Sequence, residues 1–148
     1  MKRPIFMTGE QAAQMIESGK TIATIGMTLV SASETILKAL ERRFLETGAP
    51  NGLTLLHSCG QSDRDRGIQH FAHEGMLARI VGGHWGLQPR IMKLIAENKL
   101  LAYNFPQGQF AQFYRSMAGG EPGKITKVGL GTFIDPRIEG GKMNEITK

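Results

Sequence analysis

A chain of 148 residues with 41% hydrophobic and 21% charged content is about one globular domain, large enough to bury a core. Its net charge of +5 comes from scattered Lys and Arg rather than a stripe. That argues against a nucleic-acid interface and fits a surface that attracts acidic metabolites. The single cysteine, Cys59, excludes an internal disulfide and suits a reducing cytoplasm. No apolar run approaches the ~18 residues of a membrane span, and MKRPIFM lacks the apolar core of a signal peptide. A cytoplasmic chain with no membrane contact is expected. Glycine, at 19 residues, is about twice its usual share of ~7%, which favours a fold with many strand-to-helix turns.

Thr8 precedes a helical pattern and Gln11 stands three residues on, the spacing of a capping box. Ala12, Ala13 and Ile16 mark its buried face, and Gly19 is its expected stop. Residues 21–25 form a β-branched run that reads as a buried strand. A loop over 26–31 follows, then a helix capped near Ser31 or Ser33. Its Ile36, Leu37, Leu40 and Phe44 form one stripe, with Lys38, Glu41, Arg42 and Arg43 largely outside it, and Gly48 and Pro50 end it.

Leu53–His57 is the second strand, and 58–67, with Asp63, Arg64, Asp65 and Arg66 interleaved, is a long loop. A short helix is predicted over 70–76 and a third strand over Leu77–Gly82, leading into the loop Gly82-Gly83-His84-Trp85-Gly86. Residues 88–98 form a helix with Pro89 in its first turn and Ile91, Leu94 and Ile95 inward.

Residues 100–105 form a fourth strand, which Pro106 ends because it has no N–H for a sheet ladder. Gln107 and Gly108 open the next helix, whose Phe110, Phe113, Tyr114 and Met117 share one face. A Pro-Gln-Gly turn of this kind sets free backbone N–H groups beside a side-chain amide. That pairing suits a carboxylate, a phosphate or an acyl oxygen, although a plain strand-to-helix turn would look similar. After Gly119-Gly120-Glu121-Pro122-Gly123, residues 126–130 could be a fifth strand. The run Gly129-Leu130-Gly131-Thr132-Phe133-Ile134-Asp135-Pro136-Arg137 is too apolar for a disordered tail and too broken for a helix.

Short apolar strands alternating with helices indicate an α/β fold with an open, mostly parallel sheet and helices on both faces. Right-handed crossovers then gather the strand-to-helix loops at the carboxyl ends of the strands, where such folds bind ligands. The loops at 26–31, 58–67, 82–86 and 106–108 fall there.

His57, Cys59, His70 and His73 match no common zinc spacing, and His73-Glu74 lacks the second His of a metalloprotease helix. No metal is expected. Cys59 could pair with a His as a nucleophile, but a lone cysteine after a strand is more often a small buried residue. Neither G-x-G-x-x-G nor G-x-x-x-x-G-K-[ST] follows the first strand.

The stretches Arg43-Phe44-Leu45-Glu46-Thr47-Gly48, Asp65-Arg66-Gly67, His73-Glu74-Gly75 and Gly83-His84-Trp85 come in a distinctive order. Glu97-Asn98-Lys99, Ala102-Tyr103-Asn104 and Pro106-Gln107-Gly108 continue it, followed by the Gly129-to-Arg137 run and Gly140-Gly141-Lys142-Met143-Asn144. Together they resemble the family I coenzyme A transferases, of the acetate/propionate and short-chain acyl-CoA type, and the last two stretches are the most specific.

The resemblance implies a two-part enzyme built from two similar open α/β halves. Residues 1–148 correspond to the beginning of the amino-terminal half, with the carboxyl-terminal catalytic half absent. The family's nucleophilic glutamate belongs to that second half, so no catalytic residue is expected here and this chain alone is expected to be inactive. In the family a carboxylate attacks an acyl-CoA thioester to give an anhydride. The CoA thiolate then returns to form a glutamyl thioester before the second acid is loaded. The oxyanions formed on the way need positioned N–H donors.

The amino-terminal half is expected to bind the acyl or free-acid portion. Gln107 and Gly108 match that site best, and Thr28 takes the place of a backbone oxyanion contact in a first loop that is poorer in glycine than usual. CoA enters as substrate, with no tightly bound cofactor, and the enzyme is expected to be a homo-oligomer. The alternatives are a sugar-phosphate isomerase-like enzyme, which would need an acid–base carboxylate beside a phosphate loop, and an effector-binding or interaction module without transferase activity.

Overall fold

Four apolar runs pair side by side into one parallel sheet in the order β1 (Thr21–Thr24), β2 (Leu53–His57), β3 (Leu77–Gly82), β4 (Leu101–Asn104). The computed structural model describes residues 4–148; residues 1–3, the start of the MKRPIFM stretch, lie outside the described residues. Register sets the layers. Ile22, Leu55, Ile80 and Ala102 lie in one row across the sheet, and Ala23, Leu56, Val81 and Tyr103 lie in the next, facing the other way.

The first face carries the core. Leu53, Leu55, Ile80 and Ala102 are buried under α2 (Glu34–Thr47), a 3-10 turn (Gly67–Phe71) and α3 (Pro89–Ala96), which contribute Leu37, Leu40, Ile68, Phe71, Ile91 and Ile95. The helix α4 (Gln107–Ala118) covers the second face, so helices stand on both sides. That second cover is thin: Leu56 and Val81 are only half-buried and floor an apolar hollow of about 470 Å³, walled by Phe105, Phe110, Phe113 and Ile134. Alternating burial along β2 therefore replaces the evenly buried strands expected of a doubly covered sheet.

The helix α1 (Gly9–Gln14) starts with the expected capping box, Gln11 N–H to Thr8 Oγ1 at 3.2 Å and Thr8 N–H to Gln11 Oε1 at 2.8 Å. It ends before Gly19, because the Arg43 guanidinium reaches over from α2 and donates to the carbonyls of Ala13 and Ile16 at 2.7 and 2.8 Å. Gly48 closes α2 in the left-handed region at φ 74°, as glycine does at a helix end.

Five sequence readings are corrected. Residues 21–25 do not form a buried strand: β1 is the sheet's edge strand, with Thr21 and Ala23 exposed and Ile25 beyond its end. The short helix over 70–76 is instead the earlier 3-10 turn Gly67–Phe71. Glu41, placed outside the α2 stripe, turns inward onto His70 of that turn and onto His73 just beyond it. Met117 is exposed, so the α4 stripe narrows to Phe110, Phe113 and Tyr114. Residues 126–130 form no strand: Gly129 and Gly131, at φ 93° and 79°, bend the chain out of extended geometry.

The edge of β4 is instead met by the later segment around Lys142, running antiparallel. Asn104 N–H donates to Gly141 O at 2.7 Å and Met143 N–H to Ala102 O at 3.0 Å. The 129–137 run is folded about Asp135, a buried carboxylate that accepts from the side chain of Arg137 and from the N–H groups of Gly131 and Arg137. Those bonds, the Arg137 side chain first, hold its carboxyl well below the usual range.

Candidate functional site

At the carboxyl end of the sheet the row Thr24, His57, Gly82, Asn104 closes the first face. His57 lies flat against Gly82, where any β-carbon would overlap the imidazole. Trp85 meets His57 edge-on with ring centres 5.0 Å apart and donates its Nε1–H to Asn104 Oδ1 at 2.8 Å. A carbonyl only accepts, so His57 Nδ1 carries the proton in its 3.2 Å contact with Cys59 O. Burial pushes this imidazole down to about 4, against the Cys59 carbonyl, which opposes the shift. At neutral pH His57 is an uncharged prop.

On this platform three loops meet. The loop after β2 presents Cys59, the loop after β3 presents Gly83, and β4 runs through Phe105 and Pro106 into Gln107. A β-carbon on Gly83 would stand 2.6 Å from Ser58 O and 2.7 Å from Gln107 Cγ, so glycine is what lets the Gln107 stem lie there. The Cys59 Sγ contacts Gln107 Oε1 at 3.2 Å.

Pro106, at φ −61°, caps α4 without a side-chain bond. The N–H groups of Gln107 and Gly108 therefore have no carbonyl a turn back inside the helix. Both residues are exposed, and a β-carbon on Gly108 would meet nothing within 4 Å. Gln107 and Gly108 thus stand together at an exposed helix start, as the sequence suggests.

Thr28 is elsewhere. It sits at φ 53° on the turn Met27–Val30 after β1, its hydroxyl donating to Met27 O at 2.6 Å. The strands feeding Thr28 and Gln107 are the two edges of the sheet, three spacings or about 14 Å apart. The buried amides of Gln61 and Gln88 lie under Gly26 and Gly60, with no hydrogen-bond partner among the described residues.

Sequence reasoning passed over Cys59 as a small buried residue; it is half-buried, with its sulfur on Gln107. The shared strand-end position of residues 59, 83 and 107 is the signal that could have joined them. His57 supports the Cys59 carbonyl rather than its sulfur, so the two do not form a nucleophile pair. His70 and His73 lie apart from them, in the α2 seam.

The carboxylates at this end of the sheet are engaged elsewhere: on the loop after β2, Asp63 pairs with Arg66 at 2.7 Å and Asp65 with Arg90 at 3.8 Å. Glu34 and Glu41 bind His70 and His73, and Asp135 binds Arg137. Glu74 pairs with Lys99 at 2.9 Å, just ahead of β3 and β4, at the opposite end of the sheet.

The family model described as coenzyme A transferase matches residues 6–147. The chain belongs to the coenzyme A transferase family. Over 144 residues it is 39% identical to the acetate CoA-transferase YdiF of Escherichia coli (strain K12), covering 96% of this chain and 27% of that protein. Over 143 residues it is 38% identical to the caffeate CoA-transferase of Acetobacterium woodii, again covering 96% and 27%.

Among solved structures, the apoenzyme of the acyl-CoA transferase YdiF from Escherichia coli O157:H7 superposes with a TM-score of 0.90 at 38% identity, covering 100% of this chain and 30% of that one. The same enzyme as a thioester complex with CoA gives 0.89 at 39%, covering 96% and 30%. The chain thus spans somewhat over a quarter of the length of the curated relatives it matches.

Proposed function

We propose that this chain supplies the acid-binding edge of a CoA-transferase that moves CoA between a short-chain acyl-CoA and a free carboxylic acid through a glutamyl-CoA thioester. In this reading residues 1–148 begin an amino-terminal half. A carboxyl-terminal half of the same polypeptide brings the glutamate and most of the CoA-binding surface, and the assembled enzyme is a cytoplasmic homo-oligomer with no tightly bound cofactor. One observation carries the reading: the Gln107 amide and the free N–H groups of Gln107 and Gly108 stand together at an exposed helix start, and the nearby Asp135 is taken up by Arg137. Donors without a competing anion suit the carboxylate of a free acid and the oxyanion it becomes on attack. The thioester named for the solved relative supports the covalent route. Thr28, an exposed turn residue across the sheet, would meet a different part of the acyl-CoA from Gln107.

Gln107→Ala in the complete enzyme is expected to lower turnover by roughly 10²-fold, the scale for losing one oxyanion donor. Unchanged steady-state kinetics with acetate, propionate and butyrate would refute the assignment. Residues 1–148 alone are expected to transfer no CoA, and borohydride after incubation with acetyl-CoA should reduce none of their glutamates. Turnover by the purified chain would show that the nucleophile has been misplaced.

A further inference from the structure

The amide of Gln107 can present either its oxygen or its NH2 to a ligand, and only the NH2 helps a carboxylate. An amide oxygen has no proton to give, so in the 3.2 Å contact with Cys59 the thiol is the donor and Oε1 the acceptor. That bond uses Oε1 and leaves Nε2 for another partner. The flipped amide would aim its oxygen at an anionic acid.

The contact is built from both sides. His57, buried and uncharged, holds the Cys59 carbonyl at 3.2 Å. The bare Cα of Gly83 leaves room for the Gln107 stem between Ser58 O and Phe105 O. Three neighbouring strands thus fix one side chain, which a plain strand-to-helix turn has no need to do.

We propose that Cys59 is a positioning residue: its S–H holds Oε1 of Gln107 so that the amide NH2 faces the carboxylate of the acid substrate. This rests on the acid-binding reading of Gln107, and the test separates the two.

In the complete enzyme, assayed with acetyl-CoA and propionate, Cys59→Ala should lower kcat/KM for propionate about tenfold, less than Gln107→Ala at ~10²-fold. Cys59→Ser, which restores a donor, should recover most of that loss. Adding Cys59→Ala to Gln107→Ala should change kcat/KM by less than about twofold, as for two residues acting through one contact.

An impaired Gln107→Ala beside an unaffected Cys59→Ala would overturn the positioning role and leave Gln107 standing. An unaffected Gln107→Ala would overturn both. A Cys59→Ser enzyme as weak as Cys59→Ala, or fully additive losses in the double variant, would show that Cys59 acts only through packing. A second measurement does not depend on how Cys59→Ala folds. Iodoacetamide should alkylate Cys59 faster in Gln107→Ala than in the unaltered enzyme, because the thiol has lost its acceptor. Equal rates would overturn the proposal.

Discussion

His70 and His57 are both buried, and their surroundings differ in every other respect. His70, in the 3-10 turn, faces α2 with a carboxylate on each ring nitrogen, Glu41 at 2.5 Å and Glu34 at 2.9 Å. His73 adds a second contact to Glu41 at 2.6 Å. Carboxylates only accept, so both His70 contacts are hydrogen bonds only when both ring nitrogens carry protons. His57 touches a carbonyl, an indole edge and a glycine, and burial keeps it neutral.

The chain has sorted its polarity. Charge fastens the seam under the first face, while the contacts that hold Gln107, Cys59, Gly83 and His57 together are between uncharged groups. The two regions should therefore fail in different ways.

Acid should find the neutral edge first. His57 titrates near 6.5 in the unfolded chain and at about 4 when folded, so between these values the unfolded chain binds more protons. Stability then falls as the pH is lowered through that window, by about 3 kcal/mol between pH 7 and pH 4. Urea unfolding at stepped pH measures the slope, and His57→Phe, which cannot take up the proton, should flatten it. An unchanged slope in His57→Phe would place the acid sensitivity in the seam instead.

The seam has its own signature. Burial pushes the Glu41 carboxyl up, but hydrogen bonds from His73 and His70 outweigh it and leave it below its ordinary value. Its contribution is present at neutral pH and is lost as pH falls through that lowered value. Removing it at pH 7 leaves His73 without its carboxylate and His70 with Glu34 alone. Because Glu41 is partly exposed, Glu41→Ala is expected to cost about 2 kcal/mol, less than a fully buried pair would. Lys38→Ala, which breaks only the outer 3.6 Å pair with Glu34, should cost under ~0.5 kcal/mol. If the two variants cost the same, the seam is no more than surface charge.

These regions were unequally readable in the sequence. Strand β2, strand β3 and the Thr8 cap stand where their patterns put them, because apolar runs and capping spacings are local. The helix start at Gln107 was equally local, with Pro106 marking it. The seam was not: Glu41 and His70 are 29 residues apart, and on a helical wheel Glu41 looks like a solvated charge. The Cys59 contact spans 48 residues and rests on a glycine in a third loop, a relation no window along the chain contains. The false strand over 126–130 came from reading apolar content while discounting two glycines at every second position, which favour turning over pairing.

The smallest expected effect draws the contrast most sharply. Glu74 and Lys99 pair at 2.9 Å with side chains 65% and 40% exposed, and exposed pairs are worth little once water and side-chain entropy are counted. Both residues precede their strands, so they stand at the amino end of the sheet, away from Gln107. A carboxylate there is solvated and far from the donors that would steady an oxyanion, which need to lie within about 3 Å of the reacting centre. Glu74→Gln should therefore change stability by less than ~0.5 kcal/mol and leave CoA transfer by the complete enzyme unaltered. Loss of transfer in a folded Glu74→Gln enzyme would mean that the amino end of this sheet takes part in the reaction, and the division between a charged seam and a neutral binding edge would have to be abandoned.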